Sequence, residues 1–538
     1  MKKFLGNFFG GKNSFRGASL ILIVTLFFSN LLGVLRDHYL TQKIPTDTLS
    51  VYYAAFRIPD LIFNILILGA ISAAFIPVFS SLISNKKDEV AWKVANSVIN
   101  LAIIALIICC IILALVMPYL IPLFVPGFDK EAQNLTIRLA RIMLASPVFF
   151  GLSYIFGAIL NSFKRFMVYS LAPLIYNVTI ILGTIFFADN IGIFGVALAV
   201  VAGAFLHMLI QIPIAIKLGW RWRLFLDLKN TYVRKIGVLM IPRAIGLGAN
   251  QILLLVFTGI ASVLGGSAIA IYNLADNIQT MPMVVFGTSF AMAIFPTLAE
   301  SYSQNDNQKF SYYFTKTLRS ILFFMVPMVL GVVLLRAQIV RLILGSGHFG
   351  WQQTIDTANT LGYFAIALVF TSTIPLFARA FYALHNTKVP MVATVVTVFL
   401  SIIAGSLLSP TMGVVGLALA YSIGSFFNAI ILYFVLRTKF HFDEKGILWF
   451  LVKIIIASLI MAVALQEIKF IMAIFVDMHR FWGILTQLLA ATIGAALVYI
   501  LLCWIFNCEE IASIKVVFAR ISMPNRGRSI DEEREPGK

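Results

Sequence analysis

The sequence predicts an all-α polytopic membrane protein, and three observations carry that prediction. Of 538 residues, 60% are hydrophobic and only 12% are charged, and the mean hydropathy is +0.95. Soluble domains do not reach that balance. The apolar residues gather into about fourteen runs spread along the chain, each near the roughly 20 residues that cross a bilayer core. The polar loops between the runs alternate between basic and base-poor, as the positive-inside rule requires of a chain threading a membrane many times. Such runs must be helices, because an open chain in lipid satisfies its own backbone hydrogen bonds only that way.

In chain order the expected spans lie near 17–36, 50–80, 92–118, 135–160, 168–188, 193–217, 236–262, 269–299, 313–335, 355–383, 389–408, 413–436, 448–467 and 482–507. Lys2, Lys3, Lys12 and Arg16 precede the first span. Lys86, Lys87 and Lys93 follow the second, and Lys164 and Arg165 the fourth. Lys217, Arg221, Arg223, Lys229, Arg234 and Lys235 fill the loop after the sixth. Further basic loops carry Lys309, Lys316, Arg319, Lys388, Arg437, Lys439 and Lys445. The intervening loops near 189, 266 and 411 are poor in Lys and Arg. Both termini are therefore expected in the cytoplasm, and the tail 511–538 is short, charged and expected to be disordered. Trp220, Arg221, Trp222 and Arg223 read as an interfacial anchor on the cytoplasmic leaflet.

The formal net charge of +18 follows from many short basic loops, which also attract anionic lipid. No soluble basic domain exists to bind nucleic acid. The cysteines, Cys109, Cys110, Cys503 and Cys508, sit in or beside apolar runs without metal-ligand spacing, and the six histidines are scattered. No cofactor, metal site or catalytic dyad is expected. No phosphate-binding loop of the Walker type is present, so this chain is not expected to hydrolyse ATP or to act as an enzyme. The first apolar run lacks a small-residue cleavage site and reads as a retained span.

One stretch is too polar for a simple anchor. Tyr52 to Ser80 crosses the membrane while carrying Arg57, Pro59, Asp60, Asn64, Gly69 and Pro77. An arginine at mid-span costs about 2.5–3.5 kcal/mol even on the lenient insertion scale. The wall of a polar cavity inside a helix bundle is the place where that cost is least.

The chain also repeats. Gly192, Gly195, Ala197, Leu198, Ala199, Gly203 and Phe205 recur as Gly413, Gly416, Ala418, Leu419, Ala420, Gly424 and Phe426, a spacing of 221. ISAAFIPVFSSL at 71–82 resembles FAMAIFPTLAES at 290–301. The matched spans share one orientation, so the repeat is parallel, about an axis along the membrane normal. The expectation is two six-helix lobes, 1–218 and 219–440, around a central cavity, followed by two extra helices in 441–510. Pro59, Pro77, Pro282 and Pro296 fall near paired positions of the second and eighth spans and read as bends.

With the repeat on hand, several motifs resemble the MurJ/MviN family of lipid II flippases, within the multidrug/oligosaccharidyl-lipid/polysaccharide exporter superfamily. They are SNLLGVLRD at 29–37, TD at 46–47, AFRIPDLIFNILILGAISAAFIPV at 55–78, ANQ at 249–251, YNLADNIQTMP at 272–282 and GTSFAMAIFPTLAES at 287–301. The resemblance implies a V-shaped cavity between two lobes and a lipid-facing groove made by the last two helices. It also implies export of an undecaprenyl-diphosphate-linked peptidoglycan precursor from the inner to the outer leaflet, in the bacterial cytoplasmic membrane. The family's cavity is lined by arginines that meet the diphosphate. Arg36 and Asp37 match, Asp47 is kept, and Arg57 matches a basic position. Asn30, Phe63 and Asn277 stand where the family has arginines, and Leu68 where it has a glutamate.

Charges at depth supply the candidate site. Arg36, Arg57, Arg243 and Arg379 are expected to meet the diphosphate, because arginine offers a planar fork of donors. Asp37 and Asp276 are the acids beside them. Arg138 and Arg141, near the outer end of the fourth span, fit either the cavity or an interface anchor. The expected partners are a lipid-linked diphosphate glycan and membrane lipids. A coupling ion is compatible with the sequence, which does not name one. A flippase for another lipid-linked oligosaccharide of the O-antigen or capsule type, a cation-coupled drug exporter of the superfamily and a non-transporting scaffold stay open on the residues alone.

Overall fold

Helices form where the apolar runs lie, and they overrun them. A computed structural model describes residues 15–68 and 75–511, with side chains described outside 15–23, 68 and 239–247. Among the described residues there are eighteen α-helices and no strand. The N-terminal lobe holds α1 (Phe15–Lys43), α2 (Thr46–Ile62), α3 (Ile76–Ser84), α4 (Asp88–Phe124), α5 (Lys130–Met143), α6 (Ser146–Ser162), α7 (Phe166–Ile191), α8 (Ile193–Leu209) and α9 (Ile212–Lys217). The C-terminal lobe holds α10 (Thr231–Val263), α11 (Ala268–Pro282), α12 (Ser289–Ser303), α13 (Asn307–Leu344), α14 (Trp351–Ala383), α15 (Lys388–Met412) and α16 (Val414–Arg437). Two further helices follow, α17 (Glu444–Phe475) and α18 (Phe481–Ile505).

Among the described residues, twelve stretches are long and apolar enough to cross a membrane. Helices α1 and α10, of 29 and 33 residues, occupy the expected first and seventh places. The fourteen expected spans are thus consistent with the structure, with changed bounds. Helix α4 runs for 37 residues, about 55 Å at 1.5 Å per residue, and so projects well past a hydrocarbon core of about 30 Å. The fourth span breaks into α5 and α6, and the sixth into α8 and α9. Each second piece restarts with a proline in its first turn, where the missing N–H costs nothing. Arg138 and Arg141 both lie exposed on α5, and the Arg141 Nε donates to the Ala114 carbonyl at 3.0 Å. The expectation of a disordered tail falls on 512–538, outside the described residues.

Backbone irregularities expose the duplication. Residues Phe63–Leu68 and Met283–Thr288 both form wide π-helical turns, 220 residues apart, after Pro59 and directly after Pro282. A proline removes one N–H from the ladder, which a wider turn accommodates, and such turns gather at functional places. Gly192 and Gly413 share φ near +60° and ψ of −142° between consecutive helices. The left-handed residues Lys86 and Asn305, and Lys164 and His385, are spaced by the same interval to within two residues.

The segment joining the lobes runs without regular secondary structure from Arg221 to Leu226 and is tied to α4. Asn96 Nδ2 donates to the Arg221 carbonyl at 3.1 Å, and Asn100 Nδ2 donates to the carbonyls of Arg223 and Phe225 at 2.8 and 2.9 Å. Trp222 is exposed beside Arg221 and Arg223, while Trp220 is buried edge-on against Phe156. Helices α17 and α18 pack on α13. Tyr499 donates to the Phe323 carbonyl at 2.8 Å, Lys469 to the Leu334 carbonyl at 3.0 Å, and Gln338 to Gln487 at 3.1 Å.

Candidate functional site

The lobes meet at the end of the bundle that carries the base-poor loops, and the meeting surface repeats itself. Ser267 Oγ donates to Asp47 Oδ1 at 2.7 Å, and the Ala270 N–H donates to Ser50 Oγ at 3.0 Å. Both pairs join residues 220 apart, as contacts on a two-fold axis do. Away from the axis, contacts come in exchanged pairs. Arg57 Nε donates to Thr258 Oγ1 at 2.9 Å, while Asn277 Nδ2 donates to Asp37 Oδ2 at 2.8 Å. Position 277 is the repeat partner of 57, and 258 lies one residue from that of 37.

Two glycines repeat the pattern. A Cβ on Gly127 would lie 2.2 Å from the Ser262 carbonyl oxygen, and one on Gly347 2.1 Å from the Gln42 carbonyl oxygen. Only a residue without a side chain permits these approaches, and they too are related by exchange. This is the isologous logic of a symmetric dimer, built within one chain. At the opposite, basic end, α3 packs on α4 and α6, and α12 on α13 and α14, each within its own lobe.

The polar side chains at this seam form one cluster. The Arg36 Nε and Nη2 both reach Asp37 Oδ1, at 3.1 and 2.9 Å, and Nη1 donates to Asn177 Oδ1 at 3.3 Å. Asp37 is 3% exposed and Arg36 20%. Asn177 is itself held by the Ser29 carbonyl at 3.2 Å. The Arg36 charge is thus answered within its own helix. Arg57 differs. Its Nε and Nη2 donate to Thr258 and to Asn273 Oδ1, the latter at 2.6 Å, and both acceptors are neutral. Asp276 accepts from Gln279 at 2.8 Å and forms no ion pair with an arginine among the described residues.

The structure therefore gathers Arg36, Asp37, Arg57 and Asp276 at one level. Arg379 stands apart. It donates to the Thr288 carbonyl at 3.2 Å, eleven residues beyond Asn277, or about 16 Å along the helix. The side chain of Arg243 lies outside the described residues. Asn177, Thr258 and Asn273 are contributors that sequence reasoning passed over. Asp60, within electrostatic reach of Arg57 and Arg36, was noted only as a polar interruption. Their signal was present: polar residues inside apolar spans face partners or cavities. Nearer the level of Arg379, an apolar cleft of about 250 Å³ lies between α1 and the second π turn, lined by Val24, Leu26, Phe27, Phe28, Val284, Val285 and Ser289.

Comparison with known proteins bears on what such a seam serves. A family model described as "Lipid II flippase MurJ" matches residues 45–486. The chain belongs to the lipid II flippase MurJ family. Among its MurJ relatives, a probable lipid II flippase of Rickettsia prowazekii (strain Madrid E) is 27% identical over 465 residues, covering 84% of this chain and 90% of that protein. The lipid II flippase MurJ of Burkholderia cenocepacia is 24% identical over 460 residues, covering 84% and 89%. A solved MurJ in an inward closed conformation superposes with a TM-score of 0.76 at 25% identity, over 90% of this chain and 98% of that one. An inward-facing multidrug transporter of the MATE family, in the MOP superfamily, shares the fold at a TM-score of 0.68 and 16% identity, over 78% and 98%. The superposition on that MurJ thus takes in both halves of the chain.

Proposed function

We propose that this chain moves lipid II, the undecaprenyl-diphosphate-linked peptidoglycan precursor, from the inner to the outer leaflet of the bacterial cytoplasmic membrane by alternating access. The observation that carries the site assignment is Arg57, a cation at the lobe seam bonded only to neutral acceptors. A diphosphate brings about two negative charges, and an arginine not already answered by a carboxylate in contact is the cation best able to receive them. Arg36 supports it with its charge shared by Asp37. Arg379, nearer the basic end, is the cation a headgroup meets on entry, and Arg243 belongs to the same set. Asp37 and Asp276 orient donors. The apolar cleft between α1 and the second π turn suits a polyprenyl chain, which gains by staying out of water.

Both termini lie in the cytoplasm, so the seam closes the outer side and the cavity receives substrate from the inner leaflet. Lobes 1–218 and 219–440 rock about the seam, while 441–510 rides on the C-terminal lobe. A dianion leaving a negative interior runs with the potential, by about 2.3 kcal/mol per charge per 100 mV, so no nucleotide is required, and any coupling ion would add to that term. The test is rescue of a bacterium depleted of its own lipid II flippase. Growth and cell shape are restored by the wild-type gene. Failure of a protein that is present in the membrane at normal abundance would overturn the assignment.

A further inference from the structure

The edge of Arg57 that binds the opposite lobe is the edge a phosphate would use. Two donors of a guanidinium, Nε and one Nη, lie parallel and take an oxyanion bidentately. In Arg57 these are the Nε and Nη2 held by Thr258 and Asn273. Each acceptor is preset. The Thr258 hydroxyl donates back to the Leu254 carbonyl at 2.7 Å, and the Asn273 amide donates to the Ile269 carbonyl at 2.7 Å. Each therefore turns an oxygen toward Arg57. The same edge cannot serve both the C-terminal lobe and a diphosphate. Arg36 offers no such choice, because a carboxylate of its own helix fills its fork, and Asn277 holds Asp37 with an amide donor that an anion would not displace.

We infer that Thr258 and Asn273 are positioning residues of the transport cycle, holding Arg57 across the seam until the lipid diphosphate takes over the same two donors and thereby unlatches the closed end. Hydrogen bonds from a cation to a charged oxygen are stronger than those to a neutral one, so the exchange runs toward the substrate. Loading and opening become one event, and an empty carrier stays shut. The inference rests on Arg57 being a diphosphate ligand.

The test places a reporter at Ser50, fully buried at the seam beneath the Ala270 N–H. Ser50→Cys is made in a background without the native cysteines and reconstituted in nanodiscs, and its reaction with an impermeant maleimide is timed with and without lipid II. The parent reacts slowly alone and roughly tenfold faster with lipid II, the factor that corresponds to about 1.4 kcal/mol. The pair Thr258→Val with Asn273→Leu reacts fast without lipid II, and lipid II adds little. Asn273→Asp has the opposite sign, since a carboxylate grips Arg57 more firmly, and lipid II no longer speeds labelling.

Circular dichroism and melting temperature establish that each variant is folded. A protected reporter in the folded double variant, or a parent indifferent to lipid II, overturns the latch. Arg57→Ala separates the two readings. Fast labelling with weakened lipid II binding supports both. Fast labelling with unchanged binding removes Arg57 from the substrate's ligands and overturns the exchange.

Discussion

Replacing Arg57 by alanine removes a guanidinium that holds two acceptors of the opposite lobe. Hydrogen bonds involving a charged group contribute roughly 1.5–3 kcal/mol each. Binding of the diphosphate exchanges two bonds to neutral oxygens for two bonds to charged ones, so about half of the gross value survives as net affinity. That leaves roughly 1.5–3 kcal/mol, or about 10–150-fold in Kd. Arg57→Lys keeps the charge but not the fork, and is expected to retain about half of that free energy. The assay is a titration of labelled lipid II into nanodisc-embedded protein, with melting temperature as the control for folding. An alanine variant that binds within twofold of wild type would refute the reasoning and return the diphosphate to Arg36, Arg379 and Arg243.

Other expectations follow from the same geometry. Thr411, exposed in the last turn of α15 next to a base-poor loop, and Ser303, exposed beside a basic one, report orientation as single cysteines in whole cells. Impermeant thiol reagents label Thr411→Cys and spare Ser303→Cys, and the reverse pattern would overturn the topology. Gly127→Ala and Gly347→Ala each force a methyl against a carbonyl and should weaken seam closure by about 1–3 kcal/mol, seen as faster labelling of Ser50→Cys. An effect at only one of the two would deny their equivalence. Asp37→Ala strands the Arg36 charge in a largely buried place, at a cost of about 3–5 kcal/mol, read as a lowered melting temperature. Asp37→Asn should lower it less, because its amide oxygen still accepts from Arg36.

The helices and the repeat were legible because they are written in periodicity. Apolar runs of about twenty residues, loop charge, and GxxGxALA with its distal Gly-x-Phe gave the two-lobe plan, and the resemblance gave the family. Arg36 and Asp37, adjacent in sequence, were readable as a pair. What local pattern does not hold is the partner of Arg57, since Thr258 and Asn273 lie 201 and 216 residues away and meet it only once the lobes close. Pro59 and Pro282 announced bends, yet the answer to each was a π turn, a choice made by tertiary packing that local pattern does not hold. The breaks inside the fourth and sixth spans were missed because hydropathy averages over a turn. Arg379 looked like part of the same cluster because sequence gives depth in the membrane only coarsely.

The central claim is that this protein carries lipid II, with Arg57 as its ligand. The most direct measurement is transport in proteoliposomes holding lipid II labelled on its headgroup, with externally exposed label followed over time. The same vesicles are run with an undecaprenyl-diphosphate-linked O-antigen unit. The account predicts exposure of lipid II that depends on the protein, rises with an imposed potential of the physiological sign and is largely lost in Arg57→Ala. Transport of the O-antigen unit in place of lipid II, or equal transport of lipid II by Arg57→Ala, would contradict it.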